Sequence, residues 1–402
     1  MADYFFEEII INILHRLPVK TLLRCTAVCK SWHSLITSRE FTSSHLKFAQ
    51  KVAPSLLLRR CIKSSERYEL YSDDESFARF AAFQFPFRSM NSFFTIVGSC
   101  NGLLCLSDDR VYFMNTIVLW NPSVKKSVLL PKPNMIYNSH GSFLQYLGFG
   151  FDPVGSDYKV VRITYVDLAT HPQIEVYKLS SGVWHDMSCL ELDSVLCSRA
   201  RPVYVNGASH WLARYLDLHD VIVSFDMSLE VFSTMMLPAL RVSDDELRSR
   251  DLAVYMDCLA LTLWSVSGAE QCFCVWVMNQ YGVEKSWTKT FCFDFSSFGN
   301  EFVRPLWIRK QGEVVVVCQD GRLVSCDRGG GVVRDVGVRG HRSDTYQRSL
   351  DVDTFVCSLV LMERGRCSSD VATGNSLHSL QTDDGDNVGS SGSEHEKGSG
   401  KC

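Results

Sequence analysis

A recurrence sets the terms for how this chain can fold. From about residue 50 to residue 362, short apolar strand-like segments follow one another in groups of four, with a period near fifty residues. Asn121, Leu179, Asp226, Met278 and Asp327 stand at equivalent steps and are separated by 58, 47, 52 and 49 residues. The unit opening at Tyr146 shows the pattern most plainly. It reads YLGFGF, YKVVRITY, IEVYKL and VWHDM, parted by Asp152-Pro153-Val154-Gly155, by the Asp167–Pro172 loop and by Ser181-Gly182. The unit opening at Pro202 repeats it as PVYVN, SHWLAR, VIVSFDM and VFSTMML. Four short strands per repeat are the signature of propeller blades. A β-sandwich is the alternative, but a sandwich does not normally recur at this period. Five units fit between Ser92 and Val338, with SLLLRRC and RYELYS left over before them and TFVCSLVL after. A closed ring pairs its first and last segments and so leaves no long open edge, which predicts a sixth, composite blade from the leftovers.

The first 48 residues have a different texture. Ile9, Ile10, Ile13, Leu14 and Leu17 recur at helical spacing, and Pro18 stops that helix. Leu22, Leu23, Val28, Trp32, Leu35 and Ile36 continue on a second and a third helical stretch, with Arg16, Lys20, Arg24 and Lys30 facing outward. Three short helices make a thin core. One reading is a small helical cap packed on the β region; the other is that so many large apolar side chains exceed the core of so small a unit and mark a partner interface. The far end, Gly365–Cys402, is rich in Gly and Ser with scattered acids and cannot bury enough surface to offset chain entropy, so it is expected to be disordered. The expected organisation is therefore an all-α unit over 1–48, a linker with the first strands over 49–91, an all-β propeller-like domain of five to six four-stranded blades over 92–362, and a disordered tail over 363–402.

Composition excludes several classes. The net charge is −4, from 41 basic and 45 acidic residues, and that near-balance argues against a nucleic-acid binder or a polybasic membrane surface. No uninterrupted apolar window reaches the length of a spanning helix; the best, Leu259–Met278, is broken by Glu270 and Gln271. Asp3, Glu7 and Glu8 lie where a secretory signal would be basic, so an intracellular location, cytoplasmic and/or nuclear, is expected. Sixteen scattered cysteines include no C-x-x-C, which removes a zinc knuckle and a thioredoxin-type pair. Cys272 and Cys274, two apart in an apolar run, share one face of a strand and read as small core residues. No N-x-[ST] acceptor with a non-proline middle residue occurs.

A search for chemistry returns little. Gly148–Gly155 is glycine-rich but lacks G-x-G-x-x-G spacing and opens no helix, so phosphate cradling is not expected. No G-x-S-x-G elbow lies in the folded region. His185-Asp186, His210-Trp211 and His219-Asp220 are adjacent strand residues that point to opposite faces, and read as locally hydrogen-bonded histidines rather than metal ligands. The tryptophans Trp120, Trp184, Trp211, Trp264, Trp276, Trp287 and Trp307 read as packing between blades. No catalytic residue, metal site or cofactor is expected.

Two stretches resemble a known family. Phe5–Phe41, with Leu17-Pro18-Val19-Lys20, Leu22-Leu23-Arg24-Cys25 and Val28-Cys29-Lys30-Ser31-Trp32, resembles the F-box in residue type and spacing. From Ser99 to Phe291, Gly98–Cys105, Leu119-Trp120-Asn121-Pro122, Leu130-Pro131, Gly148–Asp152, Asp157–Val161, Val176–Leu179, Asn206–Leu212, Ile222–Asp226 and Ser286–Lys289 resemble the F-box-associated domain of land plants, of the kelch-like, propeller-like type. Together they cover about two thirds of the chain, in the family's order. The family's opening Leu-Pro is replaced by Phe5-Phe6, which keeps an apolar anchor but loses the fixed φ of proline at a helix start.

The resemblance implies a non-enzymatic substrate receptor of an SCF-type cullin–RING ubiquitin ligase. The F-box would dock on a Skp-type adaptor through Phe5, Phe6, Ile9, Leu17, Pro18, Leu22, Val28, Cys29 and Trp32, and the β domain would present a target protein. A recognition module that does not deliver its partner for ubiquitylation, and a propeller enzyme acting on a small molecule, are the readings from other classes. The longest irregular inserts are Lys132–Ser142, Asp167–Pro172 and Ala239–Asp251. The charges Asp244, Asp245 and Glu246 in the last belong either to a target-binding rim or to a solvated linker between blades.

Overall fold

The computed structural model describes residues 2–362 except 52–54, 63–64, 75, 90–92, 109–115, 137–142, 167–170, 193, 198–200, 216–218, 240–246, 268–269, 299–300, 302, 310 and 341–349. The tail expected over 363–402 lies outside the described residues.

The chain opens with four helices: α1 (Ala2–His15), α2 (Val19–Cys25), α3 (Lys30–Thr37) and α4 (Arg39–Lys51). Pro18 caps α2 with φ −60° and ψ 148°, the extended conformation that ends one helix and starts the next. Cys29 caps α3, its Sγ accepting from the Trp32 backbone N–H at 3.5 Å. Two expectations are corrected here. A fourth helix follows the expected three, because extended Ser38 breaks the chain and its Oγ caps the new start through the Phe41 N–H at 3.1 Å. The chain is also already helical at Ala2, so Phe6 lies inside α1 and not at a helix start.

The β region is a ring of six sheets. Strands β1 (Ser55–Ile62), β2 (Ser65–Tyr71) and β3 (Arg79–Gln84) belong to blade one. Blade two holds β4 (Thr95–Cys100), β5 (Leu103–Ser107), β6 (Ile117–Asn121) and β7 (Lys126–Leu129); blade three holds β8 (Leu144–Asp152), β9 (Asp157–Tyr165), β10 (Gln173–Lys178) and β11 (Val183–Asp186). In blade four the innermost strand is split into β12 (Ser194–Leu196) and β13 (Val203–Val205), both paired with β14 (Ala208–Tyr215), before β15 (Asp220–Asp226) and β16 (Phe232–Met236). Blade five is β17 (Leu247–Tyr255), β18 (Cys258–Ser267), β19 (Glu270–Met278) and β20 (Trp287–Asp294), and blade six is β21 (Arg304–Ile308), β22 (Val314–Val317), β23 (Arg322–Cys326) and β24 (Val332–Arg339). The last strand, β25 (Leu350–Phe355), pairs with β1 and closes blade one as the recurrence predicts.

Alternation within each strand builds the seams between blades. In β22, Val314 and Val316 face blade five while Val315 and Val317 face blade one. Strands buried on both faces read as unbroken apolar runs, which is why Val314–Val317 and Ile117–Asn121 look alike in sequence. Several tryptophans stitch the seams, as expected: Trp184 Nε1 donates to Pro131 O at 2.8 Å, Trp211 to Leu147 O at 3.0 Å and Trp287 to Met236 O at 3.2 Å. Glycine at 148 leaves room for this stitching, since a Cβ there would lie 2.3 Å from Trp211 Cζ2. Inside blade three, a buried ion pair joins β9 to β10, with Arg162 2.6 Å from Glu175.

The segment TFVCSLVL departs from expectation. Only its first two residues stay in the sheet; the rest runs across the end of blade two as a strap. The Asn121 side-chain amide donates to Ser358 O at 3.1 Å and Val360 O at 2.9 Å, and Lys126 Nζ donates to Met362 O at 3.2 Å. Leu359, fully buried, enters the core of the helical domain together with Val124 from the β6–β7 turn. Gln50 Nε2 reaches Asn101 Oδ1 in the β4–β5 turn at 2.9 Å, so the helices sit on the propeller face that carries the turns between first and second strands.

Candidate protein-docking surfaces

The helical domain divides its apolar residues between two faces. Leu14, Val19, Leu22, Ile36 and Phe41 fill a core closed by Leu359. Helical geometry turns Ile9 and Ile13, four residues apart, away from that core, and both remain more than half exposed. Val28, in the α2–α3 turn, is 65% exposed. Pro18 and Cys29 are also exposed, while Leu17 and Trp32 are half-buried against the core.

His45 and His15 hold this surface from beneath. His45 Nε2 lies 3.1 Å from Leu17 O, fixing the Leu17-Pro18 corner. His15 Nε2 lies 2.7 Å from Ser44 Oγ, and its ring stacks on Phe41 at 4.8 Å. Burial pushes both imidazole pKa values below the ordinary value, so the pair is held neutral.

Of the residues expected at this surface, the structure gathers Ile9, Leu17, Pro18, Val28, Cys29 and Trp32 on the helical domain with solvent access. Leu22 is the correction: it is fully buried in the domain's own core, since it and Leu14 are needed to support the exposed residues. The side chains of Phe5 and Phe6 lie outside the described residues. Ile13 belongs to the face and is absent from the expected set; its i, i+4 relation to Ile9 is the signal that finds it.

A second surface is the axis of the ring. Innermost strands of five blades and the β4–β5 turn line a cavity of about 510 Å³. Arg201, in the interruption between β12 and β13, spans it to blade one, 2.6 Å from Asp351 and 3.1 Å from Asp353. A fifth of the Asp353 side-chain surface reaches the channel, yet the surrounding walls desolvate its carboxyl, and its pKa is pushed up to about 6. The histidine pairs stay separate. His185 meets Ser181, while buried His210 lies between Val203 O and the Tyr281 hydroxyl and its pKa is lowered to about 4 by burial. Asp244, Asp245 and Glu246 lie outside the described residues.

Comparison with known proteins agrees with this architecture. The family model for the F-box associated beta propeller domain matches residues 58–328, and that for the F-box domain matches residues 5–44. The chain belongs to the family of F-box proteins with an associated β-propeller domain. Among its relatives in Arabidopsis thaliana, the F-box/kelch-repeat protein At3g23880 is 26% identical over 80% of this chain and 88% of its own length. F-box protein CPR1 is 27% identical over 77% of this chain and 78% of its own. Among solved structures, a fungal lectin from Aleuria aurantia with a six-bladed β-propeller fold superimposes with a TM-score of 0.37 at 8% identity, covering 72% of this chain and 96% of the lectin.

Proposed function

We propose that this chain is the substrate-recognition subunit of an SCF-type cullin–RING ubiquitin ligase, with no catalytic activity of its own. Its helical domain docks on a Skp-type adaptor, and its propeller presents a target protein. The observation that carries this reading is the exposure of Ile9 and Ile13 together on one face of α1, and of Val28 in the α2–α3 turn, on a domain whose core is closed without them. The topology supports a division of labour. The insert expected over Ala239–Asp251 is shorter than that, because β17 already begins at Leu247 and its residues pair with β18. The helices sit at the first-to-second-strand turns, whereas the strand ends flanking 132–142, 167–172 and 239–246 all point to the opposite face. A target bound there would lie away from the adaptor, and the charges of Asp244, Asp245 and Glu246 would select it. Such a subunit works in the cytoplasm, the nucleus or both.

Each isoleucine buried at an interface contributes about 1.5–3 kcal/mol, so replacing Ile9 and Ile13 together by Asp is expected to weaken capture of a purified Skp-type adaptor by roughly a hundredfold or more. Unchanged capture with an unchanged melting temperature would remove this face from the interface. Adaptor binding by the wild-type chain also separates a ligase subunit from a recognition module that works without ubiquitin delivery. Reversing Asp244, Asp245 and Glu246 to Lys should abolish target capture while leaving adaptor binding intact; capture that survives at physiological salt leaves them a solvated linker.

A further inference from the structure

Blade five carries a cluster that the receptor reading does not use. Cys272 and Cys274 on β19 meet Cys292 on β20, with Sγ–Sγ separations of 2.9 Å from Cys272 to Cys292, 2.8 Å from Cys274 to Cys292 and 3.4 Å between Cys272 and Cys274. Cys274 is buried in the seam between blades four and five, Cys272 is half-buried and Cys292 is exposed. Cys274 stands directly opposite Cys292 in the ladder, while Cys272 stands opposite Asp294. Directly opposed antiparallel residues have the Cα spacing a disulfide bridge requires, and diagonal ones are generally too far apart.

A β-bulge supplies the fourth member. The register of β19 against β20 shifts between Val275 and Trp276, so Trp276 stands opposite Lys289 rather than Thr290. Without that extra residue, strand alternation would send Lys289 to the other face of the sheet. With it, the ammonium shares the face of the thiols and acts electrostatically on Cys274 and Cys292. The two neighbouring thiols, and after them Lys289, hold the Cys292 pKa below the ordinary thiol range. Cys292 is the exposed sulfur that a small oxidant reaches first, and Cys274, buried and directly opposite, is the one placed to resolve it.

We propose that Cys292 and Cys274 form a peroxide-sensing dithiol that closes reversibly into a cross-strand disulfide. The Cys292 thiolate attacks a hydroperoxide, an S–O bond forms as the O–O bond breaks, and the leaving hydroxide or alkoxide takes up a proton. The Cys274 sulfur then attacks the sulfenic acid, the S–S bond forms, the S–O bond breaks and water leaves. Two thiols are oxidised by two electrons and one peroxide is reduced. An external thiol reopens the bridge by exchange at the exposed Cys292 sulfur. The cluster lies toward the blade end opposite the helices, so oxidation crosslinks the two outer strands of blade five on the side away from the helical domain. Three sulfurs also suit a zinc ion, but the cation already beside them is an ammonium that repels a divalent metal, and three thiols leave a tetrahedral set incomplete.

The full-length chain treated with hydrogen peroxide, alkylated and mapped by tryptic mass spectrometry should yield linked peptides holding Cys274 and Cys292, lighter by two hydrogens and released by dithiothreitol. Before oxidation, Cys292 should alkylate at neutral pH about tenfold faster than the exposed Cys29 and Cys189. Cys272→Ala should still form the link, and Cys274→Ala should stop at a dimedone-trapped sulfenic acid on Cys292. Lys289→Met should slow the alkylation severalfold, with Lys289→Arg restoring it. Alkylation of Cys292 no faster than that of Cys29, with no linked peptide in the wild-type chain, overturns the proposal. Stoichiometric zinc in the purified chain that Cys292→Ala abolishes overturns it equally, in favour of a metal site.

Discussion

The helical domain and the propeller treat apolar surface in opposite ways. The central propeller strands divide their side chains between two seams, so that Val314 to Val317 are all buried although they alternate in direction. The helices have too few partners to do this, and Ile9, Ile13 and Val28 stay in solvent. The propeller also closes on itself, through β25 against β1. The helical core is closed instead by Leu359, which reaches it along the strap although the last helix ends at Lys51. Each region therefore draws its stability from a different source. The propeller holds itself together seam by seam, and the helical domain depends on a residue contributed by the other end of the chain.

Removing that contributed residue should have the greatest consequence. Leu359→Ala deletes most of a fully buried leucine side chain and should cost about 2–5 kcal/mol. Amide hydrogen exchange should accelerate across α1 to α4 and leave blades three to five unchanged. Acceleration spread evenly over the chain would mean that the two regions unfold as one. For the same reason, residues 1–51 expressed alone should bind the adaptor more weakly than the whole chain does.

A seam is tested by Gly148→Ala, which places a methyl group 2.3 Å from the Trp211 ring carbon Cζ2. Overpacking of this kind costs about 1–3 kcal/mol. The melting temperature should fall while adaptor affinity holds, and a fall in both would contradict the separation of roles.

Acidification provides a comparable effect. Unfolded His210 takes up its proton near pH 6.5, whereas the folded residue does so only at about 4. Between these values only the unfolded chain binds the proton, so stability is lost as the pH falls, by on the order of 2 kcal/mol at pH 5. His15 and His45, also lowered, act in the same direction on the helical domain. Asp353 acts oppositely, because its raised pKa lets the folded chain bind a proton first as the pH drops below about 6. Melting curves at pH 7 and pH 5 should therefore show destabilisation that His210→Gln reduces and Asp353→Asn deepens.

Much of this architecture was legible in the sequence because it is local. The fifty-residue recurrence marks the ends of third strands at Asn121 and Asp226, and Pro18 marks a helix boundary. What escaped depends on contacts between distant residues. Nothing near Leu359 says that it leaves the sheet for the helices, since that depends on Asn121 gripping the Ser358 and Val360 carbonyls. Nothing near Lys289 says that it joins the thiols, since a bulge turns it there. The split inner strand that frees Arg201 to reach Asp351 is equally silent.

The mildest changes concern apolar residues that both regions leave in solvent. Val154 and Leu229 on the propeller are 84% and 73% exposed, more than Ile9 at 54%. If exposure alone made a docking site, they would be better candidates. Single exposed apolar residues are normal on folded proteins, however, and what distinguishes Ile9 is Ile13 one turn away on the same helix face. Val154→Ser and Leu229→Ser should each change stability by less than about 0.5 kcal/mol and leave adaptor affinity unchanged. Ile9→Ser should weaken adaptor binding about tenfold with a similarly small change in stability. Equal effects from all three substitutions in a titration calorimetry series would show that the helical face has no privileged role.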